Sequence, residues 1–132
     1  MEYYTKDCRY FMTNGISSKV SPAHISHIIN MINQDRINKQ EADYLKVWKL
    51  YPDGEDKKLV IEESQEEPEF KRVKNIPYET IDTPITVWSI SDGFNKAMNC
   101  EVVTFLLPEE YWYDKRWTNE TNDFILCIEV WW

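Results

Sequence analysis

Two runs of aromatic and branched residues, separated by a short turn, constrain the fold of this chain more than any other feature. The first run covers residues 44–51, and the second begins at residue 57. Residues of these types favour β-strands. Pro52, Asp53 and Gly54 lie between the runs and favour a tight turn, because proline fixes φ and glycine tolerates a positive φ. Pro68 cannot donate to a strand ladder, so the second strand should end before it. The segment therefore predicts a β-hairpin.

A helix is predicted upstream of the hairpin, over about residues 22–34. Ser21 suits the N-cap position, and Pro22 suits the first helical position because its missing N–H has no partner there. Four isoleucines follow at the spacing of one helical face. They are Ile25, Ile28, Ile29 and Ile32. This apolar face is expected to pack on a sheet.

Further strands are predicted over residues 8–13, 85–91, 100–107 and 124–132, with a turn at Asn14 and Gly15. Residues 68–84 contain three prolines and are expected to form an irregular connection. The predicted fold class is α+β: a mostly antiparallel sheet of about five or six strands with one main helix packed on it. At 132 residues the chain is expected to be a single domain, residues 1–132, in which residues 112–132 form a C-terminal extension that pairs with the sheet.

The composition narrows the class of protein. Hydrophobic residues make up 42% of the chain, which is enough for a folded core and argues against global disorder. No apolar run approaches the roughly 18 residues of a membrane span, and the first ten residues lack the apolar core of a signal peptide. Three cysteines without a metal-binding spacing indicate free, mostly buried thiols. A cytoplasmic protein is therefore expected.

The negative charge is concentrated in one stretch. The net charge is −8, and residues 53–69 contribute −6 of it, from eight acids and two lysines. The acids are Asp53, Glu55, Asp56, Glu62, Glu63, Glu66, Glu67 and Glu69. Phosphate backbones repel such a protein, so direct nucleic-acid binding is not expected. Basic protein surfaces attract it. The alternative interpretation is that the acids only keep the protein soluble.

Several short motifs resemble the family catalogued as DUF960. They are Arg9-Tyr10 with Thr13 and Gly15-Ile16, the run at residues 43–47, the run at residues 64–71, and the pairing of residues 90–93 with residues 104–111. The resemblance covers about residues 9–111. It implies a small single-domain protein of Gram-positive bacteria and their mobile elements, without an assigned activity. Residues 94–103 and the aromatic tail depart from the family pattern, and the family supplies no functional residues to transfer.

A few residues have side chains that could bind a metal or take part in catalysis. His24 and His27 lie three apart on the predicted helix and, together with Cys8, are weak candidates for a zinc site. Ser21, His24 and Asp35 have the residue types of a hydrolytic triad, but the sequence around them lacks a nucleophile motif. The simpler interpretation is that these histidines are partly exposed structural residues. No cofactor is expected.

The tail is rich in tryptophan. Trp112, Trp117, Trp131 and Trp132 fall in the last 21 residues, and aromatic residues among charges are typical of interface hot spots. In a strand over residues 124–132, Trp132 shares a face with Val130, and Trp131 points the other way. Trp112 and Trp131 are therefore the predicted partner-binding tryptophans. The alternative is that these rings fill the core.

The sequence predicts a non-catalytic acidic protein-binding module. Its sharper form is an inhibitor from a phage or mobile element, of the anti-CRISPR or another anti-defence type. Such a protein would cover the basic, nucleic-acid-binding surface of a host protein. The predicted contact residues are the eight acids together with Trp112 and Trp131. Two alternatives remain open: a small metal-dependent or hydrolytic enzyme that uses His24 and His27, and a housekeeping protein of unknown role.

Overall fold

A computed structural model describes residues 8–97, 99–111 and 125–129 of the chain. Its strands all belong to one sheet. They are β1 (Cys8–Thr13), β2 (Leu45–Asp53), β3 (Lys58–Glu66), β4 (Glu69–Thr80), β5 (Ile85–Asn95), β6 (Cys100–Leu106) and β7 (Ile125–Glu129). Two helices, α1 (Asn14–Lys19) and α2 (Pro22–Ile37), connect β1 to β2, and a 3-10 helix (Pro108–Glu110) follows β6. No helix among the described residues has the length and apolar character to cross a bilayer.

The sheet is mixed, with the order β4-β3-β2-β5-β6-β1-β7. Five of the described strand pairs are antiparallel, and β1 pairs with β6 in parallel. The prediction of a mostly antiparallel sheet is therefore confirmed, although the described residues form seven strands instead of five or six. Within the C-terminal extension, β7 pairs with β1 at the edge of the sheet.

The sheet curls around α2. Arg72 on β4 donates to the backbone oxygen of Met31 at 2.9 Å, and Tyr10 on β1 donates to Asn33 Oδ1 at 3.3 Å. In a flat sheet β4 and β1 would lie about 24 Å apart, five strand spacings of roughly 4.8 Å. A single helix about 10 Å wide cannot contact both strands unless the sheet curves. The isoleucine face of α2 thus packs inside the curve, against Trp48, Leu50 and other core residues of the sheet.

The predicted helix is present and ends three residues later than expected, at Ile37. The predicted turn at Asn14 and Gly15 is wrong, because these residues begin α1, so α2 is not the only helix. Thr13 caps α1 by accepting the N–H of Ile16 at 3.3 Å. Gly15 donates its N–H to the buried Glu110 carboxylate at 3.1 Å. A Cβ at Gly15 would meet Glu110 Oε2 at 2.5 Å, so a larger residue here would force the Glu110 carboxylate to move away from the Gly15 N–H.

The prediction of an irregular connection over residues 68–84 is also wrong. Twelve of these residues form β4, which lies at the edge of the sheet. Pro68 falls in the turn between β3 and β4, and Pro77 falls near the end of β4. An edge strand tolerates proline because one side of its backbone has no ladder partner. The three prolines therefore mark an edge strand with its flanking turns, and not a break in the sheet.

Candidate functional site

The eight acids predicted as one surface do not form one. Asp53, Glu55 and Asp56 lie at the tip of the β2–β3 hairpin, whereas Glu66, Glu67 and Glu69 lie at the β3–β4 turn. The two groups are separated by the length of β3, about 26 Å for eight steps of roughly 3.3 Å. Glu62 lies between them and faces Lys71 at 3.5 Å. The predicted acidic strip is therefore two separate clusters.

Glu63 does not belong to either cluster, because its side chain is fully buried under α2. Lys46 Nζ donates to Glu63 Oε2 at 2.6 Å and to Asp35 Oδ2 at 3.0 Å. Arg72 pairs with the same two carboxylates as Lys46. Its Nε lies 3.2 Å from Glu63 Oε1, and its Nη2 lies 3.1 Å from Asp35 Oδ1. We call Asp35, Lys46, Glu63 and Arg72 the ionic cluster. Its two acids and two bases balance each other inside the fold, so its carboxylates are not offered to a partner.

The pKa of Glu63 is raised to about 7. Burial is the main cause, the hydrogen bond with Asp35 raises the pKa further, and Lys46 opposes both effects only in part. The ordinary pKa of this carboxyl is 4.5. A buried acid with a raised pKa lowers the stability of the fold as the pH rises from about 4.5 to about 7, because ionisation is costly only in the folded state.

The β3–β4 turn forms a larger acidic surface than the sequence indicates. Asp43 lies beside it, and its Oδ2 accepts the backbone N–H groups of Glu66 at 3.4 Å and Glu67 at 3.0 Å. These backbone N–H groups hold the pKa of Asp43 below its usual range, led by that of Glu67. We call this surface the acidic end. It consists of Glu41, Asp43, Glu66, Glu67 and Glu69.

Gln65 holds the acidic end together from inside. It is buried, and its Nε2 donates to the backbone oxygens of Glu41 and Pro68, both at 2.9 Å. Its Oε1 accepts the backbone N–H of Asp43 at 3.3 Å. One side chain thus links the segment before β2 to the turn after β3. The acidic end is ordered before any partner arrives, which lowers the entropic cost of binding.

Gln65→Ala should weaken this order. The substitution leaves two carbonyl groups and one N–H without their partner, and a single unsatisfied buried group costs about 1–3 kcal/mol. We expect the free energy of unfolding to fall by roughly that amount, and the amide protons of Glu66 and Glu67 to exchange faster with solvent. Urea unfolding and hydrogen exchange measure the two effects. Unchanged exchange at the turn would mean that Gln65 does not order it.

The charges of the acidic end are not balanced by any ion pair among residues 8–97, 99–111 and 125–129. Glu66 and Glu69 are paired directly across β3 and β4, an arrangement that is destabilising for like charges. None of the five carboxylates of the acidic end forms an ion pair in the part of the chain that the structure describes. Tyr44 lies next to Asp43 and is 54% exposed. An unneutralised acidic surface beside an exposed tyrosine has the composition of a binding site.

The hairpin tip differs in charge balance. Lys57 and Lys58 directly follow its three acids, so residues 53–58 carry a net charge of only −1. Among the described residues neither lysine forms an ion pair with these acids, and the Lys57 ammonium lies 3.7 Å from Asp82 on the β4–β5 loop, so the tip differs from the acidic end in its lower net charge and not in its ion pairs. Among the predicted acids, those of the β3–β4 turn are therefore the better candidates for a partner surface.

His24, His27 and Cys8, the weak candidates for a metal site, each have different neighbours. His24 Nε2 is 3.1 Å from the backbone oxygen of Thr80, and His27 Nε2 is 3.3 Å from Glu79 Oε2. Cys8 lies on β1, opposite Glu101 of β6. Within the described residues, no group of three histidine, cysteine, aspartate or glutamate side chains is arranged to hold a metal ion.

Ser21, His24 and Asp35, the candidates for a hydrolytic triad, do not form one either. Asp35 lies in the ionic cluster, and Ser21 Oγ accepts the Ala23 N–H. Cys8 and Cys100 are buried, as predicted. Trp112 and Trp131 lie outside the described residues, so their predicted role in binding stays a prediction.

Sequence reasoning missed Asp43, Tyr44 and Gln65. Asp43 and Gln65 are 22 residues apart in the chain, and no local pattern links them.

Comparison with known proteins gives a fold and no activity. No family model matches the chain, and no curated protein matches it. A crystal structure of a protein of unknown function from Enterococcus faecalis is similar, with a TM-score of 0.64 and 18% identity, over 83% of this chain and 95% of that one. At this identity the likeness concerns the fold alone. The resemblance to DUF960 stays a prediction.

Proposed function

We propose that this protein is a non-catalytic acidic module that binds a basic surface of another protein through its acidic end. One observation carries the proposal. Five carboxylates without cation partners among the described residues lie on two segments whose backbones Gln65 joins, and they include a like-charge pair across β3 and β4. Natural proteins break such a local rule most often at functional sites. A cation from a partner would remove the repulsion.

The electrostatics favour a protein partner over a nucleic acid. The chain has a net charge of −8 and a pI of about 4.8, so phosphate backbones repel it. Charges of this kind accelerate association with a basic surface and make the rate dependent on salt. A protein surface that normally holds nucleic acid offers such a target. In the sharper form of the proposal, the chain is an inhibitor from a phage or mobile element that covers this surface of a host effector in the cytoplasm, as anti-CRISPR and other anti-defence proteins do.

The protein supplies a matched pair of variants for the test. One carries Glu66→Gln, Glu67→Gln and Glu69→Gln at the acidic end. The other carries Asp53→Asn, Glu55→Gln and Asp56→Asn at the hairpin tip. Each removes three negative charges, so the net charge of both changes from −8 to −5. The substituted side chains are all exposed, so both variants should fold.

Affinity capture from a host lysate, with each protein as bait, separates the two surfaces. We expect the wild type and the hairpin-tip variant to retain the same basic protein, and the acidic-end variant to lose most of it. Association of the captured partner with the acidic-end variant should be slower and less dependent on salt. Equal retention by both variants would contradict the assignment of the site, and the acids would then serve solubility alone.

A further inference from the structure

One edge of the sheet is open in the described part of the chain. Strand β4 is the last strand in the order, and no other described strand pairs with its outer side. Eight of its residues, 69–76, pair with β3 without a register shift, and Pro77 lies beyond them. Alternate residues of an edge strand point their N–H and C=O groups away from the sheet. Half of these eight residues therefore offer backbone hydrogen bonds to a further strand.

A groove of about 270 Å³ lies beside this edge, between β4 and the side of α2 that does not face the core. Lys74 and Tyr78 of β4 line one side of it, and Asn30 and Gln34 of α2 line the other. Because the sheet curls around α2, a strand added to β4 would continue the curve and lie over the groove. Every second side chain of that strand would point into the groove, since side chains of a strand alternate between its two faces.

The edge carries positive charge, unlike the chain as a whole. Residues 70–78 contain three bases and no acid, in a chain with a net charge of −8. Arg72 is neutralised in the ionic cluster, and Lys71 lies 3.5 Å from Glu62. Lys74 forms no ion pair among residues 8–97, 99–111 and 125–129. The half-buried Lys74 is therefore available to an acidic group that enters the groove.

Charge decides which kind of strand suits this edge. A second copy of the chain would bring another basic stretch against the first, and lysines along an edge oppose such pairing. An acidic strand is attracted by Lys74 instead. The acidic end repels it at Glu69, where β4 begins, so it is directed to residues 71–76. Ile37 and Tyr78, each more than half exposed, provide apolar surface at the groove.

We propose that β4 and the adjoining groove bind an extended acidic segment of a partner protein as a further strand of the sheet. Backbone hydrogen bonds to residues 71–76 supply affinity, and an acidic side chain that reaches Lys74 in the groove supplies specificity. This surface attracts the opposite charge from the acidic end, so it is a second binding surface that does not depend on the first.

An NMR titration of the amide signals with three ten-residue peptides, at constant ionic strength, tests the proposal. The first peptide alternates glutamate with threonine, a residue that favours strands. The second has the same sequence with every backbone nitrogen methylated, which keeps the charge and removes the backbone donors. The third alternates lysine with threonine. We expect the first peptide to shift residues 71–76 together with Asn30 and Gln34, and the other two to leave residues 71–76 in place.

Lys74→Gln should raise the dissociation constant of the glutamate peptide about twofold to fivefold, the size of one partly exposed charge contact. Lys49→Gln is the matched control, because it makes the same charge change at an exposed position of β2 away from the edge. It should bind the peptide as the wild type does.

Four results of the peptide experiments would overturn the proposal: no shift at residues 71–76 with the glutamate peptide, equally tight binding of the methylated peptide, equal shifts at residues 71–76 with the lysine peptide, or equal binding by the two lysine variants. Sedimentation equilibrium of the protein alone adds a fifth. A dimer that Lys74→Gln strengthens would show that a second copy, and not an acidic strand, occupies the edge.

Discussion

Replacing Lys46 by methionine is expected to lower the free energy of unfolding by about 3–5 kcal/mol at pH 8, the cost of removing one partner from a buried charge pair. Lys46 contacts both carboxylates of the ionic cluster, at 2.6 Å and 3.0 Å. Without it, Arg72 alone faces two buried negative charges. Urea unfolding measures the loss, and a change below about 1 kcal/mol would mean that the cluster is not closed as described.

The loss should depend on pH with a defined sign. Removal of Lys46 takes away the main opposing influence on the raised pKa of Glu63, so the pKa should rise above its wild-type value of about 7. A higher folded-state pKa of an acid lowers stability as the pH rises. The cost of Lys46→Met should therefore be smaller at pH 6, where Glu63 takes up a proton, than at pH 8.

A double variant provides the control for the ionic cluster. Lys46→Met combined with Glu63→Gln leaves Asp35 and Arg72, whose opposite charges lie 3.1 Å apart. The double variant should be more stable than Lys46→Met alone at pH 8, since residues in one network couple by about 0.5–3 kcal/mol. Equal stability of the two variants would show that Glu63 is not the group that Lys46 neutralises.

Ile28→Ala should cost about 2–5 kcal/mol, the usual range for removing a large buried aliphatic side chain. Ile28 is fully buried on α2, inside the curve of the sheet. The matched control is Ile37→Ala on the same helix. Ile37 is 69% exposed, and exposed substitutions usually change stability by less than about 0.5 kcal/mol. Similar losses for the two variants, measured by thermal or urea unfolding, would contradict the packing of the isoleucine face.

Local patterns were enough to predict several elements of the fold. The isoleucine spacing located α2 because a helical face repeats every three to four residues. Pro52, Asp53 and Gly54 located the β2–β3 hairpin but not its exact turn, because Pro52 and Asp53 still belong to β2 and pair with β3. The turn begins at Gly54, which has a φ of +73°. Strand β4 was not predicted, because its prolines indicate an irregular connection unless the strand is known to lie at the edge of the sheet. Edge position depends on the whole topology, which the sequence does not show directly.

The candidate site was predicted only in part, for a different physical reason. A run of acids in the chain was interpreted as one surface, but side chains of a strand alternate between two faces. Glu63 shares the buried face of β3 with Leu59 and Ile61, whereas Glu62 lies on the other. That alternation was visible in the sequence. The contribution of Asp43 and the linking role of Gln65 depend on contacts between distant segments and could not be found in this way.

The most direct test of the acidic end is an NMR titration of the amide signals with a basic probe. A ten-residue peptide of alternating arginine and serine supplies the cations without a folded surface of its own. We expect the largest shifts at Asp43, Tyr44, Glu66, Glu67 and Glu69. We expect smaller shifts at the hairpin tip, and weaker binding when the three glutamates of the turn become glutamine. Shifts that are largest at Glu55 and Asp56, or spread evenly over all exposed acids, would contradict the assignment of the binding site to the acidic end.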